Sequence, residues 1–218
     1  MTPWLLLQLA DSALPTGGFA HSGGLEAAVQ LGRCRGAAGL DRFVEEALWQ
    51  AGSLAAPFVD AALRDPRRLS EIDARCDAAT PGEVANRASR AQGRALLRAG
   101  SALASAVATL EDEVRRGGLA GHLAPVSGAV LGLLGATPEE GARLHLFFVA
   151  RGIMSAGVRL GVTGPLEAQA ALARAGAVAE SVLAETAGRA PEDAAATSPL
   201  LDLVQSHQPR LYSRLFQS

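Results

Sequence analysis

The chain has 218 residues, 49% of them hydrophobic, and a net charge of −2. That length closes one sizeable core, and the balanced charge supplies no basic footprint for a polyanion, which argues against nucleic-acid binding. Every basic residue other than histidine is arginine, so a phosphate-loop lysine, a Schiff-base amine and a lysine general base are excluded together.

Alanine is abundant, apolar residues recur at three and four rather than at two, and β-branched runs are missing, so the expected fold is all-α. The opening MTPWLLLQLADS has no basic leader and only a brief leucine run. A turn-rich stretch, SALPTGGFAHSGGLE at Ser12 to Glu26, follows it. From Asp41 to Ala56, Phe43, Ala47, Leu48 and Leu54 form one apolar face, with Asp41 placed as a cap and Pro57 as an interruption. After the DPRR turn at Asp65 to Arg68, a charged helix is expected to about Cys76, and TPGE at Thr80 to Glu83 restarts the pattern.

Helical character then continues from Glu83 to Arg116, the longest such run, closed by Gly117 and Gly118. After GAVLGLLGA, Thr137 is set to cap a helix with Pro138 first and Glu139 and Glu140 at its positive end. From Leu144 to Leu160 that helix reads as apolar nearly all round, hence central, with Gly152 and Gly157 admitting close neighbours. TGPLEAQ and TSPLLD begin two more helices in the same cap-then-proline manner. The expectation is one all-α domain over residues 1–218, a bundle of about nine or ten helices around a central apolar one.

The residues that could carry chemistry are few. Cys34 and Cys76 have no CxxC partner, which excludes a disulfide framework or thiolate cage and points to a reducing compartment. No segment approaches the ~20 apolar residues of a membrane span, so the expectation is a cytoplasmic protein that does not bind membranes. His21, His122, His145 and His207 show no metal-ligand spacing, so no resident metal and no cofactor are expected, the alternative being transient nickel or zinc binding at an interface through one histidine per subunit. The glycine pairs Gly17–Gly18 and Gly23–Gly24 match no nucleotide loop, having neither a lysine nor a preceding strand. A serine hydrolase built on Ser22, His21 and Asp11 is the alternative reading, although adjacent residues on one turn seldom reach triad geometry. The stretch is read instead as a loop presenting His21 and Phe19 to a partner.

Three further patterns are read for docking. Arg87, Arg90, Arg94 and Arg98 gather on one helix face, read first as a solvated face and second as a surface for an acidic partner, and Arg151, Ser155 and Arg159 gather on another that either ties the core together or emerges at an interface. The last ten residues, PRLYSRLFQS, combine Arg210, Tyr212, Arg214 and Phe216, the residue types that dominate interface hot spots. The residue types leave two readings of the tail at residues 209–218, one docking on a partner and one folding back on its own subunit; the expectation adopted is that it binds a partner, adds little to the core, and is removable without unfolding the protein.

Four segments together, LLQLADSALPTGGFAHSGGLEAAVQ, NRASRAQGRALLR, RGIMSAGVRLGVTGPLEAQ and LYSRLF, are similar to the UreF family of urease accessory proteins, in its eukaryotic, plant-like form. The resemblance is in order and spans nearly the whole chain. It implies an all-α homodimer without catalysis of its own. It further implies an adaptor and chaperone that joins UreD (also called UreH) and the GTPase UreG to deliver nickel to apo-urease. Joined to the residue patterns above, the resemblance leads to His21, Arg151, Arg159, Arg210, Tyr212, Arg214 and Phe216 as the expected partner-facing residues.

Overall fold

The computed structural model describes all 218 residues, which form α-helices joined by turns and short 3-10 segments, with no strand. The helices are α1 (Pro3–Ala10), α2 (Leu25–Gln30), α3 (Gly36–Gln50), α4 (Ala56–Arg64), α5 (Leu69–Ala79) and α6 (Glu83–Ser101). They continue with α7 (Ser105–Gly117), α8 (Leu123–Leu133), α9 (Pro138–Arg159), α10 (Pro165–Thr186) and α11 (Pro199–Ser206). A π turn at Ala51–Ala55 joins α3 to α4 as one bent rod. The bend follows from Pro57, which has no N–H for the Ser53 carbonyl four residues back. That carbonyl instead accepts from the Ala195 N–H at 3.1 Å.

Helix starts that depend on local chemistry follow the sequence. Thr137 Oγ1 accepts from the Glu140 N–H at 3.2 Å, and Glu140 Oε2 accepts from the Thr137 N–H at 2.8 Å, a reciprocal cap ahead of Pro138. Gly118, at φ 62°, ends α7 as expected. The Asp41 cap is corrected. Helix α3 starts five residues earlier, at Gly36, and Asp41 pairs with Arg174 of α10 at 2.9 Å instead.

The single run from Glu83 to Arg116 is also corrected: it breaks at residues 102–104 into α6 and α7, so α9 and α10, at 22 residues each, are the longest helices. A straight continuation would carry Val107, Leu110 and Val114 away from the core, whereas folding back buries all three. Burial outweighs helix propensity here, since each large apolar side chain removed from water contributes about 1.5–3 kcal/mol.

Two large apolar clusters and a small one make up the interior. One joins α2, α3, α9, α10, α11 and the tail around Leu25, Leu40, Leu48, Leu146 and Met154, and it includes Phe216. The second joins α4 to α8 around Phe58, Val59, Ile72, Leu97 and Val126. Leu9, Leu63, Leu131 and Leu144 form the third. Helix α9 does not have the all-round buried surface its sequence suggests, since Phe147 and Ser155 are exposed and Arg151 and Arg159 half-buried. Helix α8, buried at every position from Ala124 to Leu131, comes nearer to that description. Gly157 does meet a close neighbour in Leu40, while Gly152 faces open space.

Helix α8 crosses α4 at backbone contact. A Cβ on Gly128 would lie 2.1 Å from the Val59 carbonyl oxygen. Beside this crossing, buried Asp73 of α5 accepts from the Gly121 and His122 N–H groups at 2.9 and 2.7 Å. His122 bridges Ser89 of α6 at 3.1 Å and Asp77 of α5 at 2.9 Å, so the start of α8 is fixed by charge-assisted bonds as well as by packing.

Candidate functional site

The glycine-rich loop and the C-terminal tail, at opposite ends of the sequence, meet beside the end of α9. Gly24 is required at the loop's exit into α2, because its φ is 88° and Gln205 of α11 would sit 3.1 Å from a Cβ there. The tail returns along the loop through two backbone bonds, Gln217 N–H to Ala20 O and Ser22 N–H to Ser218 O, both 2.8 Å. Ser22 Oγ also donates to the Ser218 carbonyl at 2.7 Å, and His21 Nδ1 lies 2.8 Å from Ser218 Oγ. Buried Glu26, in the first turn of α2, accepts from the Leu215 and Phe216 N–H groups at 2.6 and 3.2 Å. Gln208 Nε2 donates to the Phe216 carbonyl at 2.9 Å and closes the tail on itself.

Arg159, in the last turn of α9, joins the two segments. Its guanidinium carbon lies 3.7 Å from the Phe19 ring centroid and 4.2 Å from that of Phe216, and its Nη1 donates to the Phe19 carbonyl. Stacked this way, the cation holds an exposed aromatic and a buried one in register. Burial, and secondarily the charge of Arg87, pushes the His21 pKa below its ordinary value.

The structure therefore brings His21, Arg159 and Phe216 together with Phe19. Arg151 stands apart from them, two turns back along α9, where its Nη1 donates to the Ala10 carbonyl and its guanidinium lies 5.2 Å from the Phe148 ring. Burial lowers the Arg151 pKa, and Asp11 partly offsets this. Arg210, Tyr212 and Arg214 are exposed on the outside of the tail. The idea of a dispensable tail is corrected by Phe216, which is 4% exposed and belongs to the larger core cluster. Burying a phenylalanine contributes about 2 kcal/mol, and the Glu26 carboxylate would lose both its donors with the tail.

Sequence reasoning missed Glu26, Gln208 and Ser218 as parts of this site. Only Glu26 left a trace, as the one acid in the apolar LEAAVQ turn where Leu25, Ala27 and Ala28 are all buried.

Behind the loop lies a cavity of about 720 Å³, walled by the loop, α6, α9 and the tail, with His145 in its lining. The serine hydrolase alternative finds no support. Ser22 is buried with its proton directed to the Ser218 carbonyl, and His21 bonds Ser218 rather than Ser22. Of the four arginines on α6, Arg87 pairs with Glu83 at 3.3 Å. No helix is long and apolar enough to cross a membrane.

The family profile described as UreF matches residues 34–176. Urease accessory protein F of Arabidopsis thaliana is 39% identical over 222 aligned residues, covering 99% of this chain and 92% of the relative.

The chain belongs to the UreF family.

Urease accessory protein F of rice (Oryza sativa subsp. indica) is 38% identical, covering 98% of this chain and 84% of its own. Urease accessory protein UreF of Mycobacterium tuberculosis (strain H37Rv) is 37% identical, covering 95% of each. Plant proteins thus stand among the similar relatives, as the four segments imply. The matched profile begins after the loop and stops before the tail, whereas the alignments to the plant relatives cover almost all of the chain.

Proposed function

We propose that this UreF-family protein is a non-catalytic adaptor and chaperone of urease maturation. It acts as a cytoplasmic homodimer that joins UreD (UreH) and the GTPase UreG to deliver nickel to apo-urease. The observation that carries this reading is the match, over 95–99% of the chain, to proteins named as urease accessory proteins in plants and in a bacterium.

The joined loop and tail supply a fitting surface. Phe19 and Tyr212 are exposed aromatics, and Arg210 and Arg214 are exposed forks that form several bonds for little lost rotamer freedom. His21, Arg159 and Phe216 hold that surface in shape, and Arg151 anchors the same helix to α1. Domain and tail then act as one unit over residues 1–218, with the outer side of residues 209–218 meeting the partner.

Co-expression with UreD and UreG, followed by nickel-dependent activation of apo-urease, tests the proposal. A stable complex and activation that depends on this chain are expected, and full activation without it would overturn the reading. The purified protein alone is expected to show no saturable GTP binding in calorimetry, because the glycine loop has no lysine and its second half, from Ala20 to Glu26, is tied to the tail.

A further inference from the structure

The cavity behind the loop carries chemistry that an adaptor role does not use. The titratable side chains in its lining are His21, His145, Arg151 and Arg159; Asp11, whose charge acts on Arg151, lies outside that lining, and Ser218, whose backbone oxygen Ser22 binds, lies within it. Three of these four project from α9, and Gly152 between them would place a Cβ in open space, so the helix forms an unobstructed floor. The rest of the wall is largely apolar, with Leu14, Phe148, Val149 and Ile153 among its residues.

His145 makes no side-chain hydrogen bond in the protein. It is 5% exposed, and neither ring nitrogen is bonded to another residue, yet neither is sealed, because Ser127 Oγ is the sole fully enclosed side-chain polar atom without a partner. His145 is a lining residue of the cavity, which gives its unbonded ring a place to meet a ligand. Burial alone holds the His145 pKa down to about 4, so at neutral pH the ring offers one N–H and one lone pair. Arg151 and Arg159 each give one N–H to a backbone carbonyl, which leaves further donors on each guanidinium.

We infer that this cavity binds a small organic anion, a carboxylate or phosphate ester with an apolar body, held by the Arg151 and Arg159 guanidinium groups and hydrogen-bonded by His145. The volume suits such a molecule, since ligand pockets run to roughly 300–1,000 Å³. Two guanidinium groups with unused N–H donors favour an anion over a cation, and an apolar wall strengthens their attraction. The inference does not depend on the adaptor reading, because it concerns the protein without partners.

The experiment is calorimetry on the full chain at fixed ionic strength and neutral pH, with phenyl phosphate, inorganic phosphate and phenol as probes. Phenyl phosphate should bind saturably and at least tenfold more tightly than either of the other two. Histidine ¹⁵N spectra should show the His145 signals moving on titration. Arg151→Gln and His145→Leu should each weaken binding by tenfold or more. His145→Leu should not lower the melting temperature at pH 7, since it removes an imidazole that has no partner. Absence of saturable binding at millimolar phenyl phosphate, equal binding of phenol, or unchanged affinity in both variants would each overturn the inference.

Discussion

The crossing of α4 and α8 and the junction of loop and tail both hold distant parts of the chain together, by opposite means. At the crossing, apolar side chains and a glycine let two backbones touch, so fit in three dimensions does the holding. At the junction, Glu26, Ser22, His21 and Gln208 hold an irregular tail through directed hydrogen bonds, and only Phe216 adds substantial burial. Packing is most sensitive to a change of volume, whereas the polar junction is most sensitive to the loss of a donor or an acceptor. Under the proposed function, docking through the second region while resting on the first would keep the framework when the docking surface is altered.

The largest expected effect is Gly128→Ala, which presses a methyl group to 2.1 Å from the Val59 carbonyl oxygen and must push two helices apart. It should cost about 3 kcal/mol in urea denaturation. A loss below about 1 kcal/mol would show that α4 and α8 slide freely, and the contrast between the regions would fail.

Acid comes next, and it should act on the side of the junction and cavity. His145 titrates at about 4 in the folded protein, below its ordinary 6.5, so below pH 6.5 the unfolded chain takes up a proton that the folded one refuses. Stability is thus fully present above pH 6.5 and falls as the pH drops towards 4, by about 3 kcal/mol in total. The lowered pKa of His21 acts in the same direction and starts from the same upper limit. Denaturation midpoints between pH 7 and 4 should show this loss, and His145→Leu should remove most of it. An equal slope in that variant would remove His145 as the cause.

Third, Glu26→Ala leaves the Leu215 and Phe216 N–H groups without their acceptor and should cost about 2 kcal/mol. Limited proteolysis should then cut at Arg210 and Arg214 well before global unfolding. If the tail stays protected, Phe216 alone holds it, and the junction is a packed region like the other.

How much of this the sequence discloses depends on where the partners lie. Thr137, Pro138 and Glu140 interact within one turn, so the start of α9 is readable from the residues alone. The break between α6 and α7 is not readable, because nothing at residues 102–104 forbids a helix; what ends it is the chance to bury Val107, Leu110 and Val114 elsewhere. Asp41 looked like a cap because its type suits one, yet Arg174 of α10, far along the chain, takes its charge. The loop and the tail were each visible as unusual segments. Their union was not, since Glu26 and Leu215 stand 189 residues apart and no local pattern links an acid to two backbone N–H groups.

The smallest effect on folding separates docking from holding within the tail itself. Arg214 is exposed and has no ion-pair partner, and the Tyr212 side chain is wholly exposed, so neither supports the junction. Arg214→Ala and Tyr212→Ala should therefore change stability by no more than about 0.5 kcal/mol, as surface changes do. In co-purification with UreD and UreG, Arg214→Ala should weaken assembly by about 1–3 kcal/mol, because a charge-assisted bond desolvated at an interface is lost with the side chain. Phe216→Ala gives the opposite pattern, with stability lost along with assembly. Truncation before Arg210 cannot make this distinction, since it removes Phe216 and the donors to Glu26 together with Arg214. If Arg214→Ala and Tyr212→Ala both assemble normally while Phe216→Ala fails, the tail only shapes the surface, and the docking contacts lie on the loop around Phe19.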